Sequence, residues 1–216
     1  MNRTTIPFSH EASNDPALPR GRPNALQSAQ IVERILAAAW NVLLEQGPEQ
    51  FSIDRVAIVA QASKQTIYAR FCGKLPLLQA LLAARLDLIF TEMRDFTDAK
   101  DAEAAFAHQA RRAVASMVAP PSRMLDRLVD WIDANLSSEI ASPTRAAIYA
   151  QSRDLVCIQL VEAGERWNIV IDDVTSAAGF WLDGLFGHVR GLPSHEYHTD
   201  DWPARYSRYF LRAVTR

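Results

Sequence analysis

The chain of 216 residues has little of what several protein classes require. Its two cysteines, Cys72 and Cys157, are too few for a disulfide framework or a cysteine-rich zinc site, so we expect free thiols in a reducing compartment. No apolar run reaches the roughly 18 residues that a membrane helix needs, and the N-terminus lacks the apolar core of a signal peptide. These features predict a cytoplasmic protein without a membrane segment.

Catalytic motifs and strand patterns are missing as well. We find no Gly-x-Ser-x-Gly elbow, no His-Glu-x-x-His pair and no glycine-rich phosphate loop, which argues against an enzyme. His195, His198, Asp200 and Asp201 have a metal-like composition, but two histidines three residues apart without further ligands are poor zinc spacing. We therefore expect a solvated loop there, with no metal and no cofactor. No segment alternates apolar and polar residues for long enough to be a strand.

Charge is unevenly distributed, although the formal net charge is only -2. Residues 1–85 contain nine basic and six acidic residues, whereas the remainder contains 14 basic and 19 acidic residues. Hydrophobic residues make up 49% of the chain and charged residues 22%, as in soluble globular proteins. A basic N-terminal third on an acidic body suggests that one end of the molecule meets a polyanion.

The apolar residues recur with the 3.6-residue period of α-helices from Ser28 onward, which predicts an all-α fold of about nine helices. The preceding segment, residues 1–27, is rich in proline without any period, and we predict a flexible arm whose Arg22 can enter a minor groove. Gly47-Pro48 is expected to end the first helix. Further helices are predicted near 101–118, 122–136, 144–163, 169–190 and 203–214, with a break around residue 164.

The segment between residues 52 and 74 predicts a helix-turn-helix, a unit that places its last helix in the major groove of DNA. Ser52 and Ser63 are suitable N-caps for its two helices, and Ile67 and Phe71 would anchor the second of them. The polar side chains would then face outward, where glutamine can pair with adenine and lysine can reach guanine or phosphate. The candidate DNA-binding residues are Arg22, Ser52, Ser63, Lys64, Gln65, Thr66, Tyr68, Arg70 and Lys74.

The segments Phe51–Ala57 and Ala62–Phe71, followed by Lys74 and Leu77-Leu78, resemble the DNA-binding domain of the TetR (tetracycline-repressor) family. The resemblance extends from Ser28 to about Leu82. The family usually has a glycine in the turn where this chain has Gln61. Gln61 is therefore expected to adopt an unusual backbone conformation, unless the turn relaxes slightly.

The resemblance implies a helix-turn-helix domain at 28–73 and a larger helical domain for effector binding and dimerisation at 74–216. Two subunits would place their third helices about 34 Å apart on a palindromic operator. An effector would shift the long fourth helix, which we predict from Lys74 to about Asp95, and so lower the affinity for DNA. Most members of the family are repressors, although the sequence leaves an activator open.

The C-terminal helices supply candidates for effector binding and for the dimer interface. Residues 169–190 are apolar on more than one side, and together with the last helix they resemble the family's four-helix dimer interface; the alternative is an interior helix of a monomer. An aromatic or hydrophobic small-molecule effector is consistent with the middle helices, although each candidate could equally be core. These candidates are Phe106, His108, Met117, Met124, Trp131, Tyr149, Gln151 and Trp167.

A helical adaptor that binds protein rather than DNA is the competing hypothesis, because three-helix units also serve that purpose. An adaptor should expose an apolar groove on its third helix. This chain instead has Lys64, Gln65, Tyr68 and Arg70 at the positions expected to face outward.

Overall fold

A computed structural model describes residues 25–95, 99–136, 142–191 and 201–216. Arg22, nearly all of the predicted arm, and His195, His198 and Asp200 lie outside the described residues. Within these ranges the secondary-structure elements are all helices apart from an isolated bridge between Ile171 and Thr215, which confirms the all-α prediction. The helices are α1 (Ala25–Gln50), α2 (Ile53–Val59), α3 (Lys64–Phe71), α4 (Lys74–Arg94), α5 (Ala102–Val118), α6 (Pro120–Asn135), α7 (Pro143–Trp167), α8 (Val174–Gly191) and α9 (Trp202–Val214).

Two of the expected helix boundaries are wrong. The predicted break around residue 164 does not occur, because α7 continues through Gly164 and ends where Asn168 takes a left-handed conformation with φ 51°. The helix predicted from residue 169 begins only at Val174. Ile171 is held in the bridge to Thr215, and the Asp173 carboxylate accepts the Ser176 N–H at 2.9 Å in the manner of an N-cap.

The described helices bury two clusters of apolar side chains. The N-terminal core combines α1, α2 and α3 with the first half of α4 and with α6, so it extends well past residue 73. The C-terminal core combines α5, α7, α8 and α9 around Phe106, Trp181 and Phe210. Helix α4 starts in the N-terminal core, at Leu77 and Leu78, and its far end packs near α5 and α7. It is therefore the helix that runs between the two cores.

Aromatic rings fill the C-terminal core, where α8 and α9 lie close together. The ring of Phe106 meets that of Trp181 edge-on, with centroids 5.1 Å apart. The Tyr206 hydroxyl donates to the main-chain carbonyls of Phe180 and Trp181, both at 2.9 Å. Gly184 makes this contact possible, because a β-carbon there would overlap the Tyr206 ring and hydroxyl. The glycine thus fixes how closely α9 approaches α8.

Candidate functional site

The turn that joins α2 to α3 has the backbone conformation expected from its sequence. Gln61 lies at φ 49°, in the left-handed region that glycine occupies without strain, so the expectation of an unusual conformation is confirmed. The Gln61 N–H donates to the Ile58 carbonyl at 3.2 Å, and the Ala62 N–H donates to the Ala57 carbonyl at 3.0 Å. These two bonds close the turn and set the angle at which α3 leaves it.

Helix α3 is capped at its N-terminus and is buried along its inner side. The Ser63 hydroxyl accepts the Thr66 N–H at 3.0 Å, which confirms the predicted N-cap. Ser52 occupies the N-cap position of α2, but its side chain makes no capping hydrogen bond. Ile67 is fully buried and Phe71 nearly so, as predicted. The helix ends at Cys72 and Gly73, both with positive φ.

The outward side of α3 is polar at its N-terminal end. Lys64 and Gln65 are exposed, and the Tyr68 side chain is 51% exposed on the next turn of the helix. Thr66 is half-buried, and its hydroxyl lies 2.8 Å from that of Ser63. The structure thus brings together Lys64, Gln65 and Tyr68 on one accessible surface, which we call the α3 face.

Two of the predicted cations of this region have protein partners. The Lys64 ammonium lies 2.7 Å from the Asp54 carboxylate, but both side chains are exposed, so the pair contributes little stability and can exchange for another anion. The Arg70 guanidinium donates to the Ser28 hydroxyl at 2.9 Å and is half-buried. Arg70 is therefore directed at the start of α1 and does not join the α3 face.

Lys74 connects three helices at the base of the helix-turn-helix. Its ammonium donates to the Glu49 carbonyl at 3.1 Å and lies 4.7 Å from the centre of the Trp131 ring. Burial lowers the pKa of Lys74, and the nearby Glu49 carboxylate only partly opposes that shift. The same carboxylate pairs with Arg127 at 2.9 Å. Lys74 and Glu49 thus join the end of α1 and the C-terminal half of α6 to the start of α4.

A second candidate site is a cavity of about 110 Å³ between α4, α5, α7 and α8. Its lining contains no charged side chain. The polar side chains in that lining are Gln109, Ser116, Ser152 and Gln159. A few polar groups in an apolar wall are typical of small-molecule sites.

The predicted effector-binding residues are scattered relative to this cavity. Met117 lines it, whereas Phe106 packs against Trp181 in the C-terminal core, and Trp131 contacts Lys74 in the N-terminal one. His108 and Gln151 are not among the lining residues. Met124 borders a surface groove beside Leu44.

Two other aromatic candidates have partners of their own. The Tyr149 hydroxyl donates to the Asp183 carboxylate at 2.9 Å, and burial together with that bond raises its pKa. The ring of Trp167 lies 4.9 Å from the Arg166 guanidinium at the end of α7. Neither side chain lines the cavity.

The segment that contains the α2–turn–α3 unit is similar in sequence to known bacterial regulators. Residues 35–81, which contain the α2–turn–α3 unit, match the family described as bacterial regulatory proteins, tetR family. Over 50 residues the chain is 48% identical to the DNA-binding transcriptional repressor TetR of Mycobacteroides abscessus, an alignment that covers 23% of this chain and 26% of the relative. The chain spans about a quarter to about half of the length of the curated relatives that it matches.

Solved structures share the fold of the whole chain at low identity. A TetR transcription regulator from Haloarcula marismortui has a TM-score of 0.65 at 16% identity, covering 87% of this chain and all of its own. The FadR regulator of Bacillus subtilis, solved in complex with stearoyl-CoA, has a TM-score of 0.56 at 19% identity, covering 83% of this chain and 95% of its own. The fold shared with these structures therefore extends beyond residues 35–81 into the C-terminal helices.

Sequence reasoning missed two residues in the cavity wall of this tetR-type fold. Gln109 and Gln159 are 5% and 1% exposed, and both donate their side-chain amides to the Met93 carbonyl, at 2.6 and 2.5 Å. A signal for them was present, because each glutamine falls on the apolar face of its helix, near Phe106 and Val156 respectively. A polar residue on a buried face needs a hydrogen-bond partner.

The described residues contain neither a candidate membrane span nor a candidate metal cluster. None of the helices in the described ranges is long and apolar enough to cross a membrane. In the same part of the chain, no three His, Cys, Asp or Glu side chains are grouped so that they could hold a metal ion. Of the histidine-containing loop, only Asp201 is described, at the N-cap position of α9.

Proposed function

We propose that the protein is a ligand-responsive DNA-binding transcriptional regulator that represses by occupying a palindromic operator. The observation that carries this proposal is the α3 face, which presents lysine, glutamine and tyrosine side chains on a helix buried from behind by Ile67 and Phe71. The match of residues 35–81 to tetR-family regulators supports the same conclusion. The relatives named above with a function are transcriptional regulators, which supports a role outside catalysis.

On operator DNA, α3 lies in the major groove with its N-terminal end toward the bases. Gln65 pairs with an adenine edge, and Lys64 leaves Asp54 for a guanine or a phosphate. Ser52, Ser63, Thr66 and Tyr68 hold phosphates with their hydroxyl groups. Lys74 joins them when its ammonium leaves the Glu49 carbonyl, while Arg22 would contribute from the N-terminal arm.

We also propose that the regulator is a homodimer formed through α8 and α9. Phe180 on α8 is 52% exposed and Tyr209 on α9 is 65% exposed, and the Phe180 ring stacks on the buried Phe210. Exposed aromatic side chains that continue a core outward fit burial against a second copy. Two-fold symmetry would then place the two α3 helices about 34 Å apart. Sedimentation at micromolar concentration tests this step, and only 24.1 kDa species would contradict it.

The effector in this proposal is a small, neutral and largely apolar molecule in the cavity between α4, α5, α7 and α8. The uncharged lining supports this class, because an ion would lose its hydration there without gaining a partner. The complex of Bacillus subtilis FadR with stearoyl-CoA supports ligand binding in a protein of this fold. Coupling between such a site and DNA is typically about 1–3 kcal/mol.

Selection of bound fragments from random duplex DNA tests DNA recognition directly. With the selected duplex, Gln65→Ala should change which sequence is preferred. Lys64→Gln should weaken binding to all duplexes and reduce the dependence of log K on log salt by about 1. Lys100→Gln is the matched control, since Lys100 is an exposed lysine in the segment that precedes α5. No preference for any duplex over scrambled competitor would contradict the proposal.

Neither alternative function gains support from a particular observation. An adaptor needs an apolar groove on the outward side of α3, whereas the α3 face carries Lys64, Gln65 and Tyr68. An activator would use the same contacts with DNA. A reporter gene behind the selected operator decides the sign, because a repressor lowers expression when it is present.

A further inference from the structure

The C-terminal end of α4 is held by side chains from other helices. The last carbonyls of a helix have no partner within it, and here α5 and α7 supply donors. Gln109 and Gln159 both donate to the Met93 carbonyl, and Gln159 also donates to that of Arg94 at 3.2 Å. Arg112 donates to the carbonyls of Glu92 and, at 3.5 Å, Asp95. Three side chains therefore fix the end of the helix that runs between the two cores.

Both glutamines also face the cavity proposed for the effector. Gln109, Gln159 and Met93 are part of its lining, whereas Arg112 is not. The two amides that fix α4 are thus among the polar groups available to a ligand, beside the hydroxyls of Ser116 and Ser152. A molecule in the cavity therefore lies against the α4 clamp, by which we mean the bonds of Gln109 and Gln159 to Met93 and Arg94.

We propose that the α4 clamp is opened by a neutral apolar ligand that carries one hydrogen-bond acceptor, such as a carbonyl oxygen. The acceptor takes an amide hydrogen of Gln109 or Gln159 in place of the Met93 carbonyl. The last turn of α4 then loses one of its attachments to α5 or α7, while the bonds of Arg112 to Glu92 and Asp95 remain. This inference rests on the proposed function, since it concerns the cavity in which the effector is placed.

The size and polarity of the cavity select this ligand class. A volume of about 110 Å³ is of the order needed for one aromatic ring. A hydrocarbon can fill that space, but if it displaced the glutamines their buried donors would be left unpaired, which is unfavourable. A ligand carbonyl accepts a hydrogen bond from the displaced glutamine amide, so that this buried donor stays paired. A carboxylate would be desolvated in a lining without charge and is excluded.

Three probes of nearly equal size separate these cases: acetophenone, isopropylbenzene and benzoate. Binding to the full chain is measured by ligand-observed NMR, and the state of α4 by hydrogen–deuterium exchange of peptides that cover residues 84–95. Acetophenone should bind and raise exchange there about fivefold, as expected for loss of one net hydrogen bond. Isopropylbenzene should bind without that increase, and benzoate should not bind. Equal exchange with the first two probes, or binding by neither, overturns the proposal.

Variants distinguish recognition from attachment. The double variant Gln109→Met/Gln159→Met should raise exchange at the end of α4 without any probe, and acetophenone should then add nothing. Arg112→Met should raise basal exchange but keep the difference between acetophenone and isopropylbenzene, because Arg112 lies outside the lining. Ser152→Ala is the control, since Ser152 lines the cavity but its hydroxyl bonds to the Ile148 carbonyl of its own helix.

The outcomes keep this inference separate from the proposed function. If a glutamine variant does not fold, the probes on the parent chain and on Arg112→Met still decide the matter. Loss of probe discrimination with specific duplex binding intact would refute the clamp alone. Probe discrimination without preference for any duplex would support the clamp and refute the proposed DNA regulator.

Discussion

Replacement of Gln61 by glycine should stabilise the protein, which is unusual for a substitution that removes a side chain. Gln61 is exposed and lies at φ 49° in the turn before α3. A side chain in the left-handed conformation costs about 1–2 kcal/mol. Glycine avoids that cost but loses about 0.5–1 kcal/mol through its greater freedom in the unfolded chain. The expected net gain in the free energy of unfolding is about 0.5–1 kcal/mol.

Urea unfolding followed by far-ultraviolet circular dichroism measures this gain. For a chain of this length the thermal midpoint should rise by about 1–4 °C. Gln65→Gly is the matched control, because Gln65 is also exposed but lies inside α3, where glycine costs about 1 kcal/mol. The two glutamine-to-glycine variants should therefore shift stability in opposite directions.

An unchanged or lower urea midpoint for Gln61→Gly, at an unchanged dependence on denaturant, would refute the reasoning. It would mean that the turn in solution relaxes so that Gln61 leaves the left-handed region. The angle between α2 and α3 would then differ from the one described above. The placement of the α3 face relative to DNA would have to be reconsidered.

Three further predictions concern packing and ionisation. Gly184→Ala should lower the free energy of unfolding in urea by about 1–3 kcal/mol, because the added methyl group overlaps Tyr206. Gly187→Ala should leave it unchanged or raise it by up to about 1 kcal/mol, because no atom lies near a β-carbon at that position. Ile67→Ala should cost about 2–5 kcal/mol, whereas Tyr68→Ala on the exposed face should stay within about 0.5 kcal/mol. Burial raises the pKa of Tyr206, so the folded protein should lose stability as pH rises through about 10, where the tyrosine of the unfolded chain ionises. Tyr206→Phe should make the urea midpoint fall less steeply over this pH range. An equally steep fall in the variant would contradict the prediction.

Local rules determined much of this protein in advance. The 3.6-residue period predicted the helices, and Gly47 interrupts the first of them as expected. Ser63 caps α3, and Gln61 takes the conformation that its position in the turn demands. The exposure of Lys64, Gln65 and Tyr68 follows as well, because burial of Ile67 and Phe71 on one side of a helix sends the other positions outward.

Contacts between distant residues were decided only by the tertiary structure. Arg70 has the spacing of a DNA-facing residue, yet its guanidinium reaches Ser28, 42 positions earlier. Lys74 lies against Glu49 and Trp131, and α6 joins the N-terminal core although it follows α5 in the chain. Of the predicted effector-binding side chains, Met117 is the one that lines the cavity.

The difference between the features that the sequence predicts and those that only the tertiary structure decides has a physical reason. Helix period, caps and turn conformations depend on a few neighbouring residues, so the order of amino acids determines them. A cavity, and the attachment of α4 to Gln109 and Gln159, exist only where faces from several helices meet. Which faces meet depends on how closely helices can approach, as Gly184 shows beneath Tyr206, and that distance is a property of the packed molecule.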